Sequence, residues 1–170
     1  MALGFGVGFM YRLRMKKRES QGQTEFTPSC SSGVLEIPED KSTATESLTV
    51  IFDGGAKPNL CYGSFAVVEW PEKEIQRREF EGYSTNNEAE MLIAIQALRF
   101  LNLVIPNPKY IAVKLKGDSM LAVNCLSGRW KIRQPRLKAI AHQFREIADR
   151  FHSVTFEWHR RNNSVAVLGH

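Results

Sequence analysis

The stretch SLTVIFDGGA at residues 47–56 constrains this chain more than any other, because strand-forming residues run into a carboxylate and two glycines follow. Leu, Thr, Val, Ile and Phe favour a pleated, packed backbone. An unpaired charge is costly to bury, so Asp53 is expected to be exposed, paired or bound to a metal ion. Asp-Gly-Gly is also ordinary turn chemistry, so a turn that ends the strand is the alternative interpretation of this stretch alone.

Two later segments carry carboxylates at comparable places. Thr85 is followed by Asn-Asn-Glu, the pattern of a helix capping box, so Glu90 is expected in or just after the first turn of a helix. Asp118 follows, at its carboxyl end, a run of alternating residues that predicts a strand. If the strands that precede Asp53 and Asp118 are neighbours and the helix crosses them, the three carboxylates converge. Clustered carboxylates repel one another, and protons or a cation must resolve the repulsion.

The remaining pattern after residue 48 mixes strands and helices. Strands are predicted at about residues 48–53, 63–70, 74–82, 110–116 and 153–158. Helices are predicted from Asn86 to before Pro106, over about 118–126, and from Pro135 to about Arg150. Short connections predict an antiparallel meander of the first three strands. Local pattern alone therefore indicates an α/β or α+β fold.

Charge divides the chain into three parts. Residues 1–18 carry five basic side chains and no acid, residues 19–47 carry six acids and one Lys, and residues 48–170 carry 17 basic and 12 acidic side chains. We interpret these parts as a basic leader, a flexible acidic linker and a mildly basic domain that is compatible with a polyanionic partner. The apolar run in the leader is shorter than the about 20 residues that span a bilayer, so no stable membrane insertion is expected. A tail with nonspecific nucleic-acid affinity and an organelle transit signal are both open interpretations of residues 1–18.

The cysteines bear on the compartment. Cys30, Cys61 and Cys125 show no paired spacing, which argues for a reducing compartment and against a disulfide or zinc framework. We therefore expect an intracellular, cytoplasmic protein, with targeting to an organelle by residues 1–18 as the alternative.

Taken in order, these segments resemble the type I ribonuclease H family over about residues 48–170. The matching motifs are Asp53-Gly-Gly-Ala with Asn59, Thr85-Asn-Asn with Glu90, Gly-Asp118-Ser, and Gly-Arg-Trp-Lys at 128–131. A weaker match in the tail comprises Arg160, Asn163 and Ala166. The resemblance implies an α/β, ribonuclease H-like fold: a five-stranded mixed sheet flanked by helices. We expect it to lack the basic helical extension after Trp130 and, because the sequence stops at His170, the final helix.

The resemblance also implies an activity. It is the endonucleolytic, metal-dependent hydrolysis of the RNA strand of RNA–DNA hybrids, which leaves 5′-phosphate and 3′-hydroxyl ends. The implied catalytic residues and metal ligands are Asp53, Glu90 and Asp118. Carboxylate oxygens without His or Cys suit Mg²⁺, with Mn²⁺ as a substitute, and two ions can clamp the attacking and leaving oxygens. We expect the chain to act as a monomer.

The implied substrate contacts are less specific. Asn59, Asn86 and Asn87 match positions that face the RNA strand, where an amide can read a ribose 2′-hydroxyl. Thr85 is similar to a phosphate contact of the family. Turn and cap chemistry is the alternative explanation for all four residues.

A second set of implied contacts follows the short helix at 118–126. Trp130, with Lys131 and Arg133, resembles the family's contact with the DNA strand, a flat ring flanked by cations. A core Trp beside a solvated run of charge is the alternative.

One position departs from the family pattern. The family usually has a fourth acidic ligand, an Asp, directly after the Ala that aligns with Ala166, and Val167 stands there in this chain. Val cannot ligate a metal, and no spacing rule selects a substitute among Asn163, Glu157, His159 and His170. We therefore expect reduced or absent turnover with binding retained. A catalytically inactive hybrid-binding module is the main alternative function, and a different nuclease or transposase-like relative is the third.

Overall fold

The computed structural model describes residues 44, 46–70, 74–83 and 85–169. The predicted leader at 1–18, nearly all of the predicted linker at 19–47, and His170 lie outside these residues. The described part of the linker includes Glu46 and Ser47, which already belong to the first strand.

The described residues form five strands, four α-helices and a short 3₁₀ turn at Pro108–Tyr110. In chain order the elements are β1 Glu46–Lys57, β2 Leu60–Val67, β3 Gln76–Glu81, α1 Asn86–Val104, β4 Ile111–Gly117, α2 Met120–Leu126, α3 Pro135–Ala148, β5 Ser153–Trp158 and α4 Arg161–Leu168. Every predicted strand and helix is present, with boundaries shifted by a few residues.

The strands form one mixed sheet in the order β3-β2-β1-β4-β5. The short connections make β1, β2 and β3 an antiparallel meander, as predicted, whereas helical crossovers make β4 and β5 parallel to β1. Ile51 of β1 pairs with Lys116 of β4. Asp53 and Asp118, each two residues further on, therefore lie at the same level of two neighbouring strands.

The two faces of β1 are buried against different helices, because side chains alternate along a strand. Leu48, Val50 and Phe52 belong to the main core, which also contains the apolar residues of α1 and α3. Ile51 faces the opposite side and forms a smaller cluster with Ala66 and Leu168 of α4. α4 thus covers the face of the sheet that carries Asp53.

The interpretation of Asp-Gly-Gly as a turn is wrong. β1 continues through both glycines to Lys57, and Gly54 and Gly55 pair with Gly63 and Tyr62 of β2. The turn comes later, at Pro58-Asn59, where Asn59 adopts a left-handed conformation with φ of 61°. Asp53 therefore lies within a paired strand and not at its free end.

The expectation that the chain lacks a final helix is also wrong. Arg161–Leu168 forms α4, whose Ser164 and Leu168 are fully buried at helical spacing. Gly169, with φ of 79°, ends this helix in the left-handed conformation that glycine tolerates best. Among the described residues, no helix combines the length and the apolar character that crossing a membrane would require.

Candidate active site

The three predicted carboxylates meet in one pocket. One oxygen each from Asp53, Glu90 and Asp118 lies within 4.8 Å of the other two. Asp53 comes from the centre of the sheet, Asp118 from the residue after β4, and Glu90 from the second turn of α1.

Gly54 is what lets α1 approach the sheet so closely at this point. A Cβ on Gly54 would lie 2.8 Å from both Ala89 C and Glu90 N, far inside van der Waals contact with the helix backbone. The absence of a side chain therefore fixes the separation between β1 and the helix that carries Glu90. This explains why glycine follows Asp53, at a position where turn chemistry was the alternative interpretation of the sequence.

The cluster is electrostatically unfavourable without a cation. Asp53 is only 3% exposed. Burial, together with the charges of Asp118 and Asp53, raises the pKa of Glu90 to about 8. Glu90 Oε2 is buried and has no hydrogen-bond partner among the described residues. An all-oxygen, anionic donor set with an unsatisfied buried oxygen fits a hard divalent cation such as Mg²⁺.

The raised pKa of Glu90 predicts a pH dependence of stability in the absence of metal. Between the ordinary value of 4.5 and about 8, the unfolded carboxyl is ionised whereas the folded one retains its proton. The free energy of unfolding in EDTA should therefore fall as pH rises from about 5 to about 8. Urea denaturation of the wild type and of Glu90→Gln across this pH range measures the free energy of unfolding and so checks the prediction. The variant should lack this part of the slope, and identical slopes would contradict the assignment.

Arg161 is a residue at the cluster that sequence reasoning missed. Its guanidinium lies 3.9 Å from Asp53 Oδ2 and 3.8 Å from Asp118 Oδ2. The one signal in the sequence was a basic doublet, Arg160-Arg161, directly after the last strand. Which of the two would face the acids depends on where α4 begins, and the sequence pattern did not predict this helix.

The residues considered as substitutes for the fourth ligand do not join the cluster. Glu157 is exposed and pairs with Lys116 at 2.7 Å. His159 is buried, and its Nε2 lies 2.7 Å from Ser164 Oγ. Burial lowers the pKa of His159 against the opposing charge of Asp118, which favours the neutral imidazole. Asn163 is exposed, His170 lies outside the described residues, and Val167 packs against the small apolar cluster of Ile51, Ala66 and Leu168.

Comparison with known proteins identifies the family. A family model described as "Reverse transcriptase-like" matches residues 73–168, more than half of the chain. The chain belongs to this family. Its fold is the ribonuclease H-like fold, so the predicted resemblance and fold class are confirmed. The loss of an acidic ligand at Val167 stays a prediction.

Curated relatives include the Bifunctional protein Rv2228c of Mycobacterium tuberculosis and the Uncharacterized protein Mb2253c of Mycobacterium bovis. Each is 30% identical over 110 residues, which is 62% of this chain but 29% of the relative. The chain therefore matches less than a third of the length of these relatives.

Among solved structures, the N-terminal RNase H domain of rv2228c from M. tuberculosis superposes with a TM-score of 0.60 at 24% identity, over 71% of this chain and 87% of that one. LC11-RNase H1, isolated from compost and solved in complex with an RNA/DNA hybrid, superposes with a TM-score of 0.63 at 21% identity, over 71% of this chain and 90% of that one. RNase H1 of Halobacterium salinarum superposes with a TM-score of 0.58 at 24% identity, over 69% of this chain and 89% of that one. At these identities the likeness establishes the fold.

Two of the predicted substrate residues at the start of α1, Thr85 and Asn86, have structural roles in this ribonuclease H-like fold. Thr85 Oγ1 accepts from Glu88 N at 3.2 Å and the Glu88 carboxylate accepts from Thr85 N at 3.1 Å, which confirms the capping box. Asn86 Oδ1 accepts from Ala56 N at 2.9 Å and so connects the helix to the end of β1. Asn87 is half-buried beside it, and Asn59 occupies the β1–β2 turn.

The second predicted set lies on the loop between α2 and α3. Trp130 is 48% exposed, so its interpretation as a core residue is wrong. Its backbone N–H donates to Asn124 O at 3.0 Å, after a left-handed turn at Gly128. Lys131 and Arg133 are exposed on the same loop.

Arg136, at the start of α3, was not singled out by the sequence. It forms an ion pair of 3.2 Å with the buried carboxylate of Glu88, lies over the ring of Tyr83, and donates to Gly82 O. These contacts tie the beginning of α3, just after the Trp130 loop, to the capping box of α1.

An open groove of about 550 Å³ begins at Asp53 and continues over β1, β2 and β3. Lys57, Arg77 and Arg161 contribute positive charge to its walls, and Lys57 Nζ lies 5.5 Å from the centroid of the Tyr62 ring. The carboxylate pocket is thus bordered by cations, the arrangement expected beside a polyanion.

Proposed function

We propose that this chain is a divalent-metal-dependent ribonuclease H, which cleaves the RNA strand of RNA–DNA hybrids internally and leaves 5′-phosphate ends. The observation that carries the proposal is the convergence of Asp53, Glu90 and Asp118 within 4.8 Å. The fold supports it, because one similar structure, LC11-RNase H1, was solved with an RNA/DNA hybrid. The cation-lined groove beside the pocket gives a phosphate backbone a surface to follow.

Asp53, Glu90 and Asp118 would hold the metal, two Mg²⁺ ions or Mn²⁺ in their place, through hard oxygen ligands. When bound, such ions lower the pKa of an attacking water and neutralise charge that develops at phosphorus. The residues of the chain orient the site: β1 and β4 hold the two aspartates side by side on neighbouring strands, and α1 contributes Glu90. Glu90 can hold a proton near neutral pH until a cation enters.

Substrate recognition would begin at the start of α1. Because Asn86 Oδ1 accepts from Ala56 N, its amide NH₂ is left as a donor for a ribose 2′-hydroxyl. Asn59 and Asn87 would contribute amides to the same strand. Thr85, whose hydroxyl serves the helix cap, would sit beside a phosphate.

The DNA strand would contact the loop that carries Trp130, Lys131 and Arg133. A half-exposed indole offers a flat surface to a sugar or base, and the two cations suit the adjacent phosphates.

Replacing Trp130 with Ala should weaken hybrid binding by roughly 5- to 160-fold, the loss expected for one stacking contact. Because the ring is half exposed, the melting temperature and the affinity for Mn²⁺ should stay close to those of the wild type. Fluorescence polarisation with a labelled hybrid in CaCl₂ or EDTA measures binding without turnover. Tyr110→Ala is the matched control. Tyr110 is 44% exposed and directly precedes β4, at the end of that strand away from Asp118. An equal loss in both variants would contradict the assignment.

The proposed activity is tested by incubating the chain with labelled RNA–DNA hybrid, double-stranded RNA and double-stranded DNA, each in Mg²⁺, Mn²⁺ or EDTA. Cutting of the hybrid alone, dependent on metal and yielding 5′-phosphate ends, is the expected result. Cutting of double-stranded DNA would instead support a different nuclease of the same fold.

The second candidate function is a catalytically inactive hybrid-binding module. Two observations favour it: Val167 stands where a fourth carboxylate is expected, and a guanidinium lies beside two of the three acids. Hybrid binding without cutting in either metal would support this candidate. The weakened turnover, the monomeric state and the cytoplasmic location stay predictions.

A further inference from the structure

Arg161 lies where a cation is required. Its two terminal nitrogens approach different carboxylates, at 3.9 Å from Asp53 Oδ2 and 3.8 Å from Asp118 Oδ2. Both acids are nearly buried, with side chains 4% and 10% exposed, whereas the Arg161 side chain is 69% exposed. A solvated guanidinium therefore reaches from outside into a pocket of crowded negative charge.

The position of Arg161 is determined by the turn between β5 and α4. His159 N donates to Gly117 O at 3.1 Å, and Trp158 Nε1 donates to Asp118 O at 2.8 Å. The buried contact between His159 Nε2 and Ser164 Oγ, at 2.7 Å, closes the turn against the first turn of α4. These contacts hold the beginning of α4 next to Asp118. The backbone therefore places Arg161, the first residue of the helix, beside the acids.

The guanidinium and a divalent ion need the same space. The ion would use oxygens of Asp53 and Asp118, and those two side chains are the ones that Arg161 contacts. The guanidinium, a monovalent cation under 4 Å from both acids, offsets part of the repulsion between the carboxylates. A divalent ion that enters must displace the guanidinium or share the carboxylates with it. Because the Arg161 side chain is 69% exposed, moving it away from the acids into water costs only a small free energy.

We propose that Arg161 is a resident counter-cation of the acidic cluster, which stabilises the metal-free protein and raises the divalent metal concentration that the cluster needs. This inference rests on the proposed metal site. It makes Arg161 a positioning residue that determines metal affinity and not a catalytic one.

The test is a titration of MnCl₂ into the metal-free chain, followed by calorimetry or by the electron paramagnetic resonance signal of free Mn²⁺. Arg161→Gln should bind Mn²⁺ roughly 2- to 30-fold more tightly than the wild type, the range expected for losing two partly exposed ion pairs. Arg161→Lys keeps the charge and should stay close to the wild type. Arg160→Gln is the matched control, because it removes one positive charge from an exposed neighbour that makes no ion pair among the described residues.

A second readout is the melting temperature in EDTA. Arg161→Gln should melt at a lower temperature than Arg160→Gln in EDTA and show a larger rise when Mn²⁺ is added, since the acids have lost their counter-cation. Unchanged or weaker Mn²⁺ affinity in Arg161→Gln, while Asp53→Asn abolishes binding, would overturn this inference and leave the metal site intact. Wild-type affinity in Asp53→Asn would overturn the metal site itself, and this inference with it.

Discussion

Asp53→Asn is expected to reduce cleavage of an RNA–DNA hybrid in Mg²⁺ by roughly 100-fold or more, because a carboxylate that holds the cation contributes several kcal/mol to the reaction. Asn keeps the size and shape of the side chain but removes the charge. Asp53 is the most buried of the three acids and is anchored by the central strand. Initial rates with a labelled hybrid measure the loss.

The control for this experiment is Asp149→Asn, which removes an exposed carboxylate at the end of α3. It should cleave like the wild type. Circular dichroism should show both variants folded, and Mn²⁺ binding on the same samples should be lost in Asp53→Asn alone. If Asp53→Asn retained more than about a tenth of the wild-type rate, the assigned role of this carboxylate would be wrong.

Gly54→Ala should have the largest effect on stability and site geometry together. The new methyl group would lie 2.8 Å from the backbone of both Ala89 and Glu90, and a helix backbone cannot yield as a side chain can. α1 must then move away from β1, which lowers the free energy of unfolding by about 1–3 kcal/mol, the usual cost of overpacking. The same movement separates Glu90 from Asp53, so Mn²⁺ affinity and hybrid cleavage should fall as well.

Gly55→Ala is a matched control one residue away. Its methyl group would meet the ring of Tyr62 at 2.9 Å, and that ring ends a side chain that can rotate aside. Urea denaturation should therefore show a clearly smaller loss of stability for Gly55→Ala than for Gly54→Ala, and Mn²⁺ binding should be retained. Equal losses of stability would mean that the contact between Gly54 and α1 does not set the helix position.

Local signals predicted the parts of this molecule that local physics determines. The capping box at Thr85 defined the first residue of α1, because side-chain and backbone groups three residues apart satisfy each other. Alternation defined β5, whose predicted and observed bounds agree. The sequence predicted that Asp53, Glu90 and Asp118 converge if the strands before the two aspartates are neighbours. The parallel pairing of β1 with β4 meets this condition.

The sequence-based predictions that failed depend on contacts between distant segments. Asp-Gly-Gly has the composition of a turn, but here the glycines make room for α1 and for pairing with β2, which no short window can reveal. α4 is eight residues long with a mixed pattern, and it is stabilised by burial of Ser164 and Leu168 against the sheet. Arg161 was missed because its proximity to the acids depends on where that helix begins.

The order of the three carboxylates in the chain also affects when the proposed metal site can form during synthesis. β1 finds its antiparallel neighbour β2 within a few residues, but its parallel neighbour β4 begins only at Ile111. A growing polypeptide that ends before β4 therefore carries Asp53 and Glu90 without Asp118. Such non-local pairing is slow to form, so the three carboxylates should come together only late in synthesis, when β4 pairs with β1.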